Sequence, residues 1–158
     1  MRLLNTHSLR IHECLVPFDP YATLSHCWGT AEVSYEQYVA GQDTDSAGYR
    51  KIVACCKLAR SRNMEWVWID TCCIDKRSSA ELSKAINSMW AWYRDCTECY
   101  VYMADVDPVN RCPGSEDIDR FKKSSWFTRG WTLQELLAPP HLVFSSADWK
   151  SHIHTRQE

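Results

Sequence analysis

Glu135 is the single carboxylate in the stretch WFTRGWTLQELLAPP, residues 126–140, which also holds two tryptophans, a phenylalanine and an arginine. A carboxylate set among large apolar neighbours has two uses. It can stabilise developing positive charge, or hold a sugar hydroxyl, inside a cleft. It can also cap a helix. Thr132 to Glu135 fits a capping box, with Thr132 as N-cap and Glu135 reaching back to its amide, and the helix dipole favours the same placement. The two uses are compatible, and the residues alone leave both open.

Other reactive or ligand-binding groups close short apolar runs. Ser25, His26, Cys27, Trp28 and Gly29 end YATLSHCWG. Asp70, Thr71, Cys72 and Cys73 follow WVWI, Asp105 follows CYVYMA, and Ser145 with Ser146 ends HLVFSS. Hydroxyls, carboxylates, a histidine and indole faces together suit a polar ligand with a flat ring, such as a nucleotide. Plainer readings stand beside these. Asp70 also fits an ordinary cap. His26 and Cys27 are neighbours, and neighbours on a strand point to opposite faces, so they make a poor nucleophile–base pair. Gly29 most simply permits a positive φ after Trp28. Trp66, Trp68, Trp90 and Trp92 read as core aromatics.

The elements that must position these groups alternate. MRLLNT and SLRIHECL read as two short strands around a polar turn, a hairpin. YATLSHCWG begins as a strand. EVSYEQYVAGQDTDSAG reads as a polar, turn-rich connection. GYRKIVACCKLARSR places Tyr49, Ile52, Cys56 and Ala59 on one helical stripe. WVWID is a strand. A helix is expected from about Ser79 to Asp95, started by Ser78 and Glu81 as a capping box, with Leu82, Ile86, Met89, Trp90 and Tyr93 on its apolar face. Cys99 to Val106 reads as a strand, DPVNRCPGSEDID as a surface loop, WTLQELLA as a short helix stopped by Pro139 and Pro140, and HLVFSS as a last strand. Alternation of this kind predicts an α/β fold with a mostly parallel sheet flanked by helices. Right-handed crossovers then bring the strand C-terminal ends to one edge, where such sheets bind ligands.

Composition sets outer bounds. The 158 residues, 45% apolar and 24% charged, suit one domain spanning residues 1–158. A formal net charge of −2 with no basic face gives no support for nucleic-acid binding. No apolar run approaches a membrane span and the N-terminus is not a signal peptide, so a cytoplasmic location is expected, with the nine cysteines as thiols. Cys96–Cys99 is the one CxxC, without a second at zinc-finger spacing, so no metal site is expected. Neither GxxxxGK[ST] nor GxGxxG occurs, which argues against a P-loop nucleotidase or an ordinary dehydrogenase.

YATLSHCWG, WVWIDTCCIDK with SSAELSKAINSMWAWY, and FKKSSWFTRGWTLQELLAPP occur in that order over residues 21–140. They resemble the three signature blocks of the fungal heterokaryon-incompatibility (HET) domain. The likeness extends to the opening MRLLNT and the closing HLVFSSADW. It implies a role in fungal non-self recognition and programmed cell death, at the N-terminus of a larger protein whose other parts sense or regulate. HET domains are in turn similar to Toll/interleukin-receptor (TIR) domains, which implies a TIR-like, flavodoxin-like sheet. Such a sheet normally carries another helix and strand, so the chain is expected to be a truncated domain or part of a longer protein. SSWFTRGWTLQEL looks like the TIR segment whose glutamate cleaves NAD⁺, and that residue falls on Glu135. The resemblance thereby implies NAD⁺ as substrate, with Trp28 or Trp131 stacking on a ring and Ser25 or Asp70 bonding the ribose. His26 and Gly29 belong to the loop that borders the nicotinamide side. The alternative is a non-catalytic adaptor that self-associates, with regulatory domains or incompatibility proteins as partners.

Overall fold

The chain opens with the expected hairpin, β1 (Arg2–Asn5) and β2 (Ile11–Glu13), paired antiparallel. Four parallel strands follow: β3 (Tyr21–His26), β4 (Trp66–Ile69), β5 (Glu98–Tyr102) and β6 (His141–Ser145). A last strand, β7 (His152–Arg156), lies antiparallel on β6. In this computed structural model the described residues are 1–14, 20–108, 115–150 and 152–156, with residue 115 and the last group as backbone only.

The seven strands form one sheet in the order β2-β1-β4-β3-β5-β6-β7. β1 lies antiparallel on β4, so a parallel centre carries antiparallel edges. Flanking the sheet are α1 (Tyr35–Val39), α2 (Ala47–Ser61), α3 (Asp70–Cys73), α4 (Ser79–Arg94), α5 (Ser115–Lys122) and α6 (Thr132–Leu137). This is the expected α/β class, with the flavodoxin-like order in its parallel centre. The chain runs outward from β3 to β4, then returns to β5 on the other side of β3. That reversal is the switch point, at the C-terminal end of β3.

β3 is buried along its whole length, as a central strand covered on both faces must be. Alternation sorts its side chains. The Tyr21 hydroxyl donates to the Trp92 carbonyl (2.7 Å) and Thr23 Oγ1 to Cys96 Sγ (3.5 Å), so this face packs on α4 and the turn that follows it. Ser25 continues the same face, and His26 falls on the other. The strand therefore delivers two polar groups to opposite sides of the switch point.

Five local expectations change. The connection after β3 contains α1, started by a full capping box between Ser34 and Gln37. α5 occupies the second part of the expected acidic loop, and residues 109–114 lie outside the described residues. β5 stops at Tyr102, where Met103 to Asp105 turn away. The buried face of α4 is Ala85, Met89 and Tyr93 with Leu82 partly covered, whereas Ile86 and Trp90 are exposed. The core stripe is thus rotated from the expected one, and Trp90 is not a core aromatic. Ser78 accepts from the Glu81 amide as expected, but the Glu81 carboxylate turns to the Asp75 amide and to Arg2 instead of closing a box.

One glycine is fixed by close approach. A Cβ on Gly48 would lie 2.3 Å from the Ala31 carbonyl oxygen, whose residue accepts the Gly48 amide at 3.0 Å. The start of α2 is thereby clamped to the segment that carries Glu32.

Candidate functional site

The segment between β5 and β6 is anchored before it reaches the site. Asp105 accepts from Ser124 Oγ (2.6 Å) and the Ser125 amide (2.7 Å). Burial opposes ionisation of Asp105, but these two donors hold its carboxyl below the usual range. The bonds fix a 3₁₀ turn, Ser125–Thr128, which drives Trp126 into the core against Phe144. Thr132 Oγ1 then donates to the Trp126 carbonyl at 2.5 Å.

That last bond removes Thr132 from the capping role. α6 begins after Trp131, which has helical φ and ψ and makes no side-chain cap. The Glu135 side chain does not reach back along its own helix. Its Oε2 accepts from Ser25 Oγ at 2.6 Å and from Arg129 Nη1 at 2.9 Å, and its Oε1 accepts from Arg129 Nη2 at 3.2 Å. Trp126 Nε1 donates to Ser25 Oγ at 2.7 Å. Indole N–H is a donor only, so the serine must accept there and give its own proton to the carboxylate. Burial alone would lower the Arg129 guanidinium, but the facing Glu135 carboxylate raises it above its ordinary value.

Glu135, only 3% exposed, lines a cleft of about 680 Å³, within the roughly 300–1,000 Å³ typical of ligand pockets. Trp28 and Trp131 stand at it, 56% and 48% exposed. Asp70 lines it and accepts from Trp28 Nε1 at 2.9 Å, while Lys76 Nζ sits 3.5 Å from the centre of the Trp28 ring. Burial lowers the Lys76 ammonium, against the pull of Asp70 and Glu32. Ile74, Leu82, Ile86 and Met89 form an apolar wall. The exposure of Ile86 on α4 is therefore exposure to the cleft.

The other face of β3 holds a second polar cluster. His26 is buried, with Nε2 at 3.7 Å from Glu32 Oε2 and 3.9 Å from Asp70 Oδ1, and neither ring nitrogen has a hydrogen-bond partner among the described residues. Glu32 also binds Lys51 Nζ and the Gly29 amide, the latter at 2.7 Å. Burial would raise the Glu32 carboxyl, but His26, Lys51 and Gly29 hold it down at about 2. Burial lowers Lys51, and Glu32 only partly restores it.

Of the residues read from sequence, Glu135, Trp28, Trp131 and Asp70 meet at the cleft. Ser25 stands directly behind Glu135. His26 lies behind Asp70, outside the lining. Gly29 has no positive φ; it contributes an amide to Glu32. Asp70 begins α3 without capping it and instead orients Trp28. Ser146 turns to Asp148. Arg129, Lys76, Glu32 and Trp126 were not singled out. Arg129 had a signal, as the one cation in the stretch around Glu135; the others had none. Among the described residues, no group of three His, Cys, Asp or Glu side chains is placed to hold a metal ion. Nor does any described helix have the length and apolarity to cross a membrane.

No solved structure matches the chain. The chain is 47% identical over 133 residues to the vegetative incompatibility protein HET-E-1 of Podospora anserina, an alignment that covers 82% of this chain and 10% of that protein. The chain thus corresponds to a small part of that relative's length. Residues 21–124, from the first residue of β3 to the serine that anchors the 3₁₀ turn, match the family model described as heterokaryon incompatibility protein (HET). With the switch-point strand and the cluster of His26, Glu32, Lys51 and Asp70 inside that match, and with the long alignment to HET-E-1, the chain belongs to the heterokaryon incompatibility family.

Proposed function

We propose that this HET domain acts in fungal non-self recognition and death signalling by hydrolysing the N-glycosidic bond of NAD⁺, with Glu135 as the catalytic residue. The observation that carries the reading is the placement of Glu135. It is a buried carboxylate, locked by Ser25, in the wall of a cleft whose exposed faces are two indoles. A carboxylate so placed serves a reaction that develops positive charge on a ribose. The C1′–N bond breaks and its electron pair leaves with nicotinamide, a neutral base that needs no general acid. Water adds at C1′ and loses a proton, giving ADP-ribose. Trp28 and Trp131 stack on rings, and Asp70 orients Trp28. The likeness of the segment around Glu135 to that of NAD-cleaving TIR domains supports the same assignment. The test is nicotinamide release from NAD⁺ by purified protein beside the Glu135→Gln variant.

A second reading has its own observation. Leu133 and Leu137 lie one turn apart on α6, both exposed, next to exposed Trp131. Apolar side chains spaced in this way suit self-association into a signalling assembly. In that reading the domain assembles at high concentration, and Glu135→Gln leaves assembly intact; sedimentation of both proteins checks it.

A further inference from the structure

The two groups best suited to meet the ring and the ribose of a nucleotide each carry a cation. Arg129 spans both oxygens of Glu135, and Lys76 stands over the face of Trp28. The two cations come from distant parts of the chain, Lys76 from the segment after α3 and Arg129 from the segment before α6, yet both line the one cleft. Arg129 is the more accessible partner of its pair, its side chain 23% exposed against 4% for Glu135. One bond from each terminal nitrogen goes to the carboxylate, and a guanidinium has more donors than that.

We infer that Arg129 and Lys76 are the specificity residues of this cleft and select nucleotides that carry a diphosphate. The inference rests on the reading of the cleft as a nucleotide site. A diphosphate draws Arg129 from Glu135 and Lys76 from Trp28. The carboxylate is then free for the ribose and the indole face for a ring.

The balance of charge decides the selectivity. Moving a guanidinium from carboxylate to phosphate exchanges one charge-assisted pair for another of similar strength. With either ligand the freed carboxylate loses its cation and takes ribose hydroxyls instead, but a neutral nucleoside offers the guanidinium no new anion, so Arg129 stays on Glu135 or is left unpaired at a largely buried position, which is costly. Lys76 adds to the preference as a point charge at the same mouth, and its cation–π contact with Trp28 is the weaker restraint of the two.

Calorimetric titration of the chain with ADP, adenosine and pyrophosphate tests this, with Arg129→Gln and Lys76→Ala in parallel. ADP is expected to bind on the order of tenfold tighter than adenosine, as charge-assisted bonds to phosphate allow. Arg129→Gln removes most of that gap. Lys76→Ala, which breaks no hydrogen bond and so leaves the fold intact, narrows it. Equal binding of ADP and adenosine, no binding of either, or a gap that survives both substitutions overturns the inference. Pyrophosphate binding as tightly as ADP overturns the assignment to nucleotides. A gap that both substitutions close, in a protein that releases no nicotinamide, supports the inference and sinks the hydrolase reading. Nicotinamide release inhibited equally by ADP and adenosine does the reverse.

Discussion

Ser25 donates a 2.6 Å hydrogen bond to Glu135 across 110 residues of sequence. The bond joins the strand at the switch point to the helix before the last parallel strand. Behind it, Trp126 fixes which way the serine proton points. Two side chains, one from β3 and one from the 3₁₀ turn, thus hold a carboxylate of α6 in an acceptor orientation, which a solvent-exposed helix cap would not require.

Ser25→Ala removes a donor from Glu135 and leaves the Trp126 N–H buried without its acceptor. The expected loss is about 1–3 kcal/mol of stability, seen as a lower urea midpoint. Turnover should fall as well, because the carboxylate gains rotational freedom.

Arg129→Gln leaves Glu135 without its counter-charge. Breaking a fully buried pair costs about 3–5 kcal/mol; Arg129 is partly exposed, so the loss should sit at or below the lower end. Adding Glu135→Gln to the same protein should recover part of it, because the stranded charge is gone. Thermal melts of the two single variants and the double variant give the coupling. Additive losses would mean that the pair carries no interaction energy.

Much of the fold is legible in the sequence, for identifiable reasons. β3, β4 and β6 are short apolar runs between turn residues, and α2 and α4 carry helical periodicity. α1 is hidden in the sequence although Ser34 and Gln37 form a capping box, because the residues around them are polar and rich in turn formers. β7 is a polar edge strand with too little apolar alternation to notice. The site was legible in part. Strand ends mark Ser25, Trp28 and Asp70, and the stretch around Glu135 stands out by its composition. Between the two uses left open for Glu135 the sequence does not decide, because local spacing cannot show that Thr132 is claimed by the Trp126 carbonyl and Glu135 by Ser25 and Arg129. Trp90 and Ile86 were misplaced because the apolar face of α4 is wider than the core it covers; the excess, Ile86 included, belongs partly to the cleft wall.

Trp28 is exposed, so its role is open to a clean test. Trp28→Ala should shift stability by less than about 1 kcal/mol, as surface changes do. Its effect should fall on KM for NAD⁺, raised on the order of tenfold by loss of a stacking face. A fall in kcat with KM unchanged would remove Trp28 from substrate binding.

Glu32 sets an acid dependence. Its folded value, about 2, lies below its ordinary value near 4.5. A lowered carboxyl stabilises the fold above its ordinary value, and that gain is lost as pH falls from about 4.5 toward about 2. Glu32→Gln should flatten this acid limb in a series of urea midpoints, while lowering stability at neutral pH, where buried Lys51 loses its partner. Parallel acid limbs for the two proteins would assign the acid sensitivity to other carboxylates.

The most direct measurement is the rate of nicotinamide release from NAD⁺ per chain, at high protein concentration, for the parent and for a folded Glu135→Gln variant. The account predicts release by the parent and a fall of at least about a hundredfold in the variant, the scale on which charge-stabilising groups act. Release that continues unchanged in folded Glu135→Gln would contradict it.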